Sequence, residues 1–109
     1  MRTELPIIPT VRRDLRAPDV TAATLVAGVL ADRTRASILA LLADGPCCVC
    51  ELAAATGERE NNVSYHLAKL RAAGLVRTAR HTADARWVYY ERDEPACATA
   101  LRRVSDLLR

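Results

Sequence analysis

The chain has 109 residues, the length of a single globular domain, so we expect one hydrophobic core and no second domain. Half of the residues are apolar, yet Phe is absent and aromatic residues make up only 4%, a composition that favours short helices packed through Leu, Ala and Val. The net charge is +3, and no apolar run resembles a secretory signal or reaches the ~20 residues of a membrane span, so we expect a cytoplasmic protein without a membrane partner.

The N-terminal part of the sequence predicts an irregular arm followed by two helices. Prolines and scattered charges occupy residues 1–18, which we predict to be the arm, and residues 19–109 form the predicted folded domain. Apolar residues at helical spacing predict one helix over 21–31 and another over 33–43. Asp32 lies between them, where it would end the first helix and cap the second.

The next two predicted helices are short and closely spaced. The first covers 51–56 and ends at Gly57, the residue type best suited to the left-handed conformation at a helix end. The second carries an apolar stripe of Val63, Leu67 and Leu70, with polar residues at its start. Two short helices in this arrangement are typical of a helix-turn-helix.

A hairpin and a last helix follow. Residues 76–81 and 86–90 predict two strands joined by the small polar stretch 82–85, and the second is the most β-prone run of the chain. Its aromatic residues, Trp87, Tyr89 and Tyr90, are expected to brace the strand against the core. The final helix has an apolar stripe made of Cys97, Leu101, Val104 and Leu108.

The first and last helices would have apolar faces that such a small core cannot cover. Pairing them with the same helices of a second copy would bury both faces. We therefore predict a fold that is mainly α with a small β-hairpin: a winged helix-turn-helix that forms a homodimer through its N- and C-terminal helices.

Positive charge is concentrated in the predicted helix-turn-helix and hairpin. Residues 59–92 contain seven Lys or Arg residues against three Asp or Glu residues, and the rest of the chain is slightly acidic. A basic segment on a nearly neutral body indicates a partner with phosphate groups, such as double-stranded DNA.

Four motifs follow one another along the chain: Asp-Arg-Thr-Arg-x-x-Ile-Leu-x-Leu-Leu at 32–42, Cys-Val-Cys-Glu-Leu-Ala at 48–53, Val-Ser-Tyr-His-Leu-Ala-Lys-Leu-Arg-x-Ala-Gly-Leu-Val at 63–76, and Trp-Val-Tyr-Tyr at 87–90. Together they resemble the ArsR/SmtB family of metal-responsive repressors. The resemblance implies a dimer that binds a palindromic operator, blocks transcription and leaves the DNA when an inducer binds. It also implies that the protein is not an enzyme and has no permanent cofactor.

The start of the second helix of the motif is expected to enter the major groove. Family members usually begin this helix with a Ser cap, whereas Arg59 takes that position here, beside Glu58 and Glu60. The predicted base-reading residues are Asn61, Asn62, Ser64, Tyr65 and His66. The predicted phosphate contacts are Lys69, Arg71, Arg77, Arg80 and Arg86.

Three of the four cysteines lie together ahead of the helix-turn-helix. In an extended segment Cys48 and Cys50 point to the same side and Cys47 to the other, so we predict a metal site centred on Cys48 and Cys50. Cys50 lies close to a predicted helix N-terminus, where backbone amides and the helix dipole favour the thiolate. The third ligand stays open between Cys97, from either subunit, and Cys47.

The donor set indicates the class of inducer. Where one branch of the family has a third cysteine, this chain has Ala53, and residues 1–46 contain no cysteine. No His follows His81, so the family's other site, built from His and carboxylates of the last helix, cannot be assembled. Thiolates without imidazole favour soft ions, and the resemblance points first to arsenite or antimonite and then to cadmium or lead.

Other functions fit parts of the sequence. The same repressor fold could sense oxidants or persulfide through a bridge between Cys97 and one of Cys47, Cys48 or Cys50. A thiol enzyme would need a Cys-x-x-Cys in a strand-helix setting, and the sequence does not predict that setting around Cys47 and Cys50, which have this spacing. An interaction module that has lost operator binding is the remaining alternative.

Overall fold

The computed structural model describes residues 17–79 and 86–109. Within them the chain forms five helices and three short strands. In chain order these are α1 (Ala17–Leu30), α2 (Arg33–Leu42), β1 (Cys47–Cys48), α3 (Val49–Thr56), α4 (Glu60–Ala72), β2 (Val76–Thr78), β3 (Tyr89–Arg92) and α5 (Glu94–Leu107). This is the predicted mainly helical winged helix-turn-helix, with one strand more than expected.

The first two helices agree with the sequence pattern except at their ends. Helix α1 begins at Ala17, four residues before the predicted start, so the last two residues of the predicted arm over 1–18 are helical, and residues 1–16 lie outside the described residues. Asp32 is the N-cap of α2, as predicted, and its Oδ1 accepts a hydrogen bond from the amide of Arg35 at 3.1 Å. No described helix is long and apolar enough to span a membrane.

The sheet has the order β1-β3-β2, and both pairs are antiparallel. The β2–β3 hairpin was predicted, but β3 begins at Tyr89 and reaches Arg92, later than the predicted 86–90. Strand β1 was not predicted, because two residues carry no period-two pattern. It pairs Cys47 with Tyr90 and Cys48 with Tyr89, so the start of the helix-turn-helix is joined to the wing.

The core is formed by side chains from α2, α3, α4, β2 and α5. It is made of Ile38, Leu42, Leu52, Val63, Leu67, Leu70, Leu75, Val76 and Ala100. Tyr90 packs against this core, whereas Trp87 is 50% exposed, so the prediction that Trp87 braces the wing is wrong. Trp87 precedes β3 and therefore lies outside the sheet that would turn it inward.

Helices α1 and α5 pack against each other. Only some apolar side chains of the two helices face the core: Val26 and Cys97 contact it, but Leu25, Leu101 and Leu108 are 67%, 72% and 79% exposed. A single chain thus leaves large apolar side chains of both helices in contact with water.

Candidate DNA-binding face and thiol site

The turn between α3 and α4 sets the position of the second helix of the motif. Gly57 ends α3 with a φ of 76°, a conformation that costs a residue with a Cβ more than it costs glycine. Arg59 is the N-cap of α4 and its side chain makes no capping hydrogen bond, as the missing Ser had indicated. Glu60 in the first turn instead places a negative charge near the free amides.

The outer face of α4 carries three of the five predicted base-reading residues. Asn61, Ser64 and Tyr65 are exposed, and the Tyr65 side chain has an edge-on ring neighbour in His66 at 5.1 Å. Asn62 is half-buried, and its Nδ2 donates to Oε1 of Glu58. This bond uses one of the two N–H groups of the Asn62 amide and holds the side chain beside Glu58.

His66 lies on the inner side of α4, not on the DNA-facing side where it was predicted. Its side chain is among the buried polar groups, 7% exposed, and its Nδ1 lies 3.1 Å from Nη1 of Arg35 and 3.9 Å from Oδ1 of Asp32. Residue 66 follows Val63 by three positions, so it shares the apolar stripe's direction. His66 is thus a partner of α2 rather than a base-reading residue.

The predicted phosphate-binding residues differ in their surroundings. Lys69 and Arg71 are exposed on α4, and Nζ of Lys69 lies 5.4 Å from the centre of the Tyr65 ring. Arg77 is half-exposed but paired, 2.9 Å from Glu91 Oε2 and 3.7 Å from Asp93 Oδ2. Arg86 is exposed and already interacts within the chain. Arg80 lies outside the described residues.

The Cys48 and Cys50 thiols meet at the first turn of α3, where their sulfur atoms are 2.9 Å apart. Cys48 is the last residue of β1 and the N-cap of α3, and Cys50 is the second residue of the helix. The two thiols therefore meet through the geometry of a helix start, not through the alternation of an extended segment as predicted. Cys48 is 4% exposed, and Cys50 is half-buried.

Glu51 completes the capping arrangement around Cys48. Its Oε1 accepts a hydrogen bond from the Cys48 amide at 2.9 Å, and its own amide faces the Cys48 sulfur. The spacing of Cys48 and Glu51 is that of a capping box with sulfur in place of the usual hydroxyl. Sequence reasoning did not assign Glu51 a role, although a Glu three residues after an N-cap is a recognised signal.

The other two cysteines point elsewhere. Cys47 directs its sulfur to the carbonyl oxygen of Gly45 at 3.7 Å, and Cys97 directs its own to that of Leu75 at 3.6 Å. Among residues 17–79 and 86–109, no three His, Cys, Asp or Glu side chains are grouped so that they could hold a metal. One chain therefore brings together two soft donors and supplies neither of the predicted third ligands.

Burial raises the pKa of three thiols, those of Cys47, Cys48 and Cys97. It raises the pKa of Cys48, helped by the hydrogen bond with Cys50, and the opposing effect of the Glu51 amide is smaller. Burial also raises the pKa of Cys47 and of Cys97. For Cys48, the residue at the N-cap itself, desolvation therefore outweighs the stabilisation that the helix end offers to a thiolate.

Comparison with known proteins identifies relatives of this arrangement. Residues 32–78 match the family described as bacterial regulatory protein, arsR family. The chain is 40% identical over 73 residues to the arsenic resistance transcriptional regulator ArsR1 of Pseudomonas putida, covering 66% of this chain and 55% of that protein, so it spans about half of that relative's length. It is 34% identical over 82 residues to the arsenical resistance operon repressor of Escherichia coli, covering 74% of this chain and 68% of that protein.

A solved structure extends the likeness to the fold. The homodimeric winged helix-turn-helix DNA-binding domain Mb0332 of Mycobacterium bovis, described as a possible ArsR-family regulator, is 30% identical and superposes with a TM-score of 0.64. The match covers 87% of this chain and 88% of that one. The fold, the four ordered motifs and the coverage of the Escherichia coli repressor agree, and the chain belongs to the arsR family of bacterial transcriptional regulators, which are not enzymes.

Proposed function

We propose that this protein is a dimeric transcriptional repressor that binds a palindromic operator and is released when a thiophilic ion binds Cys48 and Cys50. Arsenite or antimonite is the first choice of inducer, and cadmium or lead the second. The observation that carries the proposal is the 2.9 Å separation of the two sulfur atoms at the start of the helix-turn-helix.

The DNA-binding part is supported by the outer face of α4. Asn61 and Ser64 can donate to or accept from base edges, and Lys69 and Arg71 add positive charge on the same helix. Arg77, Arg80 and Arg86 are the proposed phosphate contacts of the wing, and Arg77 would have to exchange its carboxylate partners for phosphate.

The dimer is supported by the exposed apolar side chains of α1 and α5. Leu25 and Leu101 are each more than 60% exposed, and they lie on α1 and α5, which pack against each other. Burial of such side chains contributes about 1.5 to 3 kcal/mol each. The Mycobacterium bovis relative of the same fold is homodimeric, which supports a dimer for this chain.

The choice of ion rests on the donor set. Among the described residues no imidazole is grouped with the two sulfur donors, and such a donor pair suits soft ions better than zinc, nickel or cobalt. The Pseudomonas putida and Escherichia coli relatives are named for arsenic, in line with the preference for arsenite. A third thiolate would have to come from Cys97, within the chain or from the second subunit, or from Cys47 after a local rearrangement.

Release of DNA requires that the thiol site favour a different dimer geometry from the one that fits the operator. Cys48 has two connections that could transmit such a change. It caps α3, the first helix of the DNA-binding motif, and its backbone pairs with Tyr89 of the wing strand β3. A ligand held by the Cys48 sulfur would compete with the Glu51 amide for it, which alters the cap at the junction of both elements.

A redox-sensing repressor of the same fold is the second candidate, favoured by the close contact of the two free thiols. A peroxide could oxidise Cys48 and Cys50 to a disulfide, with the two thiol protons and the peroxide oxygens leaving as two water molecules. The pair first considered from the sequence, Cys97 with a cysteine of the 47–50 cluster, is less favoured, because the Cys97 sulfur bonds to the Leu75 carbonyl.

The test is a DNA-binding titration with the purified protein and the DNA upstream of its own gene. Arsenite, antimonite, cadmium, lead, zinc and hydrogen peroxide are added separately, and anisotropy of labelled DNA reports dissociation. We expect dissociation by the first four and not by zinc. Dissociation by peroxide alone would replace the metalloid proposal with the redox one, and failure to bind this DNA at low salt would contradict the repressor role.

A further inference from the structure

Arg35 joins three helices through one side chain. Its Nε donates to the carbonyl oxygen of Val29 at 2.7 Å, in the last turn of α1. That carbonyl is one of the last four of the helix, which have no partner within it. Nη1 of Arg35 lies 3.1 Å from Nδ1 of His66 on α4. The backbone amide of Arg35 donates to Asp32, the N-cap of α2.

The contact with His66 orients the imidazole ring. A guanidinium only donates, so Nδ1 of His66 is the acceptor in this contact. Asp32 Oδ1 is 3.9 Å from the same Nδ1, and the hydrogen bond from the Arg35 amide lowers the pKa of Asp32, which keeps it a carboxylate beside the guanidinium. His66 is 7% exposed, so its contacts are made inside the protein.

His66 also touches the outer face of the helix. Its ring meets the Tyr65 ring edge-on, with centres 5.1 Å apart and planes at 74°. Tyr65 is 54% exposed and has Lys69 Nζ over its ring at 5.4 Å. A continuous set of contacts thus runs from the end of α1, through Arg35 and His66, to the side chains proposed to meet DNA.

We propose that Arg35 is a positioning residue for DNA recognition. Its rigid guanidinium contacts both the Val29 carbonyl and the His66 ring, and these two contacts together set the rotation of α4 relative to α1. Since α1 belongs to the proposed dimer surface, this also sets how the two recognition helices of a dimer face the operator. The inference rests on the proposed DNA-binding function, but it does not depend on the thiol site.

Lysine could not replace Arg35 in this role. The guanidinium presents several N–H groups in one plane and serves the two acceptors at fixed angles, whereas an ammonium is a single flexible point charge. Arg35→Lys therefore removes the geometry and keeps the charge. Arg33, an exposed arginine at the start of α2, offers the matched control Arg33→Lys.

The test compares binding to the upstream DNA with binding to a scrambled duplex of equal length, both as a function of salt. For Arg35→Lys we expect operator affinity to fall about tenfold or more, towards the non-specific level, with scrambled-DNA affinity and the salt slope unchanged. Arg33→Lys should behave as wild type. Wild-type operator affinity for Arg35→Lys, or equal losses on both duplexes with a smaller slope, would overturn the positioning role.

A second pair of variants keeps the inference testable if Arg35→Lys folds poorly. His66→Asn retains an acceptor near the position of Nδ1, whereas His66→Leu does not, so we expect the Asn variant to bind the operator more tightly. Equal affinity of the two variants would contradict the role of the Arg35 contact. If the wild-type protein itself shows no preference for the upstream DNA, the proposed function fails, independently of Arg35.

Discussion

The sulfur atoms of Cys48 and Cys50 lie 2.9 Å apart because one residue caps α3 and the other occupies its second position. The two sulfur atoms thus meet where β1 ends and α3 begins. Among the described residues, no third metal-binding side chain is grouped with them. The pair should therefore bind any trivalent arsenic centre that offers two exchangeable positions.

Phenylarsine oxide tests this two-thiol site directly. Its arsenic keeps the phenyl group and condenses with two thiols, forming two As–S bonds and releasing one water molecule. We expect one molecule per chain by intact mass spectrometry, with Cys48 and Cys50 protected from alkylation. Cys47→Ser and Cys97→Ser should retain this stoichiometry, and its survival in Cys48→Ser would contradict the assignment. Serine is itself a good N-cap, so Cys48→Ser should keep α3 intact.

The pH dependence of binding should distinguish cadmium from arsenite. Burial raises the pKa of Cys48 above its ordinary value of 9.0, so this thiol is protonated at neutral pH. Binding of Cd²⁺ must release that proton, so Cys48 alone should make the Cd²⁺ affinity rise by about tenfold per pH unit between pH 6 and 8. Arsenous acid instead releases water when it forms an As–S bond, so its affinity should stay nearly constant. Isothermal titration in two buffers of different ionisation enthalpy measures the protons released.

The surface of α4 should separate base reading from phosphate binding. Ser64→Ala and Asn61→Ala are expected to lower operator affinity by about 1 to 3 kcal/mol each, with little effect on scrambled DNA, because they remove contacts to base edges. Arg71→Gln should weaken both duplexes and reduce the slope of log affinity against log salt by about one. Identical profiles for Ser64→Ala and Arg71→Gln would show that the face is assigned wrongly.

The dimer should depend on exposed leucines of α1 and α5. Leu101→Asp places a charge on a side chain that is 72% exposed in the single chain, so it should dissociate the dimer without unfolding the protomer. Val88→Asp is the control, because Val88 is 55% exposed next to the wing strand and should leave the dimer intact. Sedimentation velocity at micromolar concentration gives the oligomeric state, and circular dichroism checks the fold. A Leu101→Asp protein that remains dimeric would exclude this part of α5 from the interface.

Most of the helical framework was predictable because it depends on local signals. Asp is a preferred residue type at a helix N-cap, which placed Asp32 at the start of α2, and Gly is preferred at a helix C-terminus, which placed Gly57 at the end of α3. The apolar stripe of Val63, Leu67 and Leu70 placed α4 correctly, and all three are buried. Helix positions can be predicted from a sequence when capping residues, apolar periodicity and turn residues all indicate the same boundaries, as they do here.

The parts that were missed depend on contacts between distant residues. Strand β1 exists through its pairing with Tyr89 and Tyr90, more than 40 positions away, and two residues alone give no signal. The helical spacing from Val63 already indicated an inward direction for His66, but a polar side chain is expected inside only with a partner, and that partner is Arg35 on another helix. The structure brings the sulfur atoms of Cys48 and Cys50 together, but not through the predicted extended segment, since the strand ends at Cys48 and the helix begins at once.

The most direct measurement is arsenite-induced release of the dimer from its upstream DNA, followed by anisotropy for the wild type and the four single Cys→Ser variants. We predict release for the wild type, little or none for Cys48→Ser and Cys50→Ser, and responses of Cys47→Ser and Cys97→Ser that report which of these two residues completes the site. Normal release of both Cys48→Ser and Cys50→Ser by arsenite would contradict the thiol site at the start of α3.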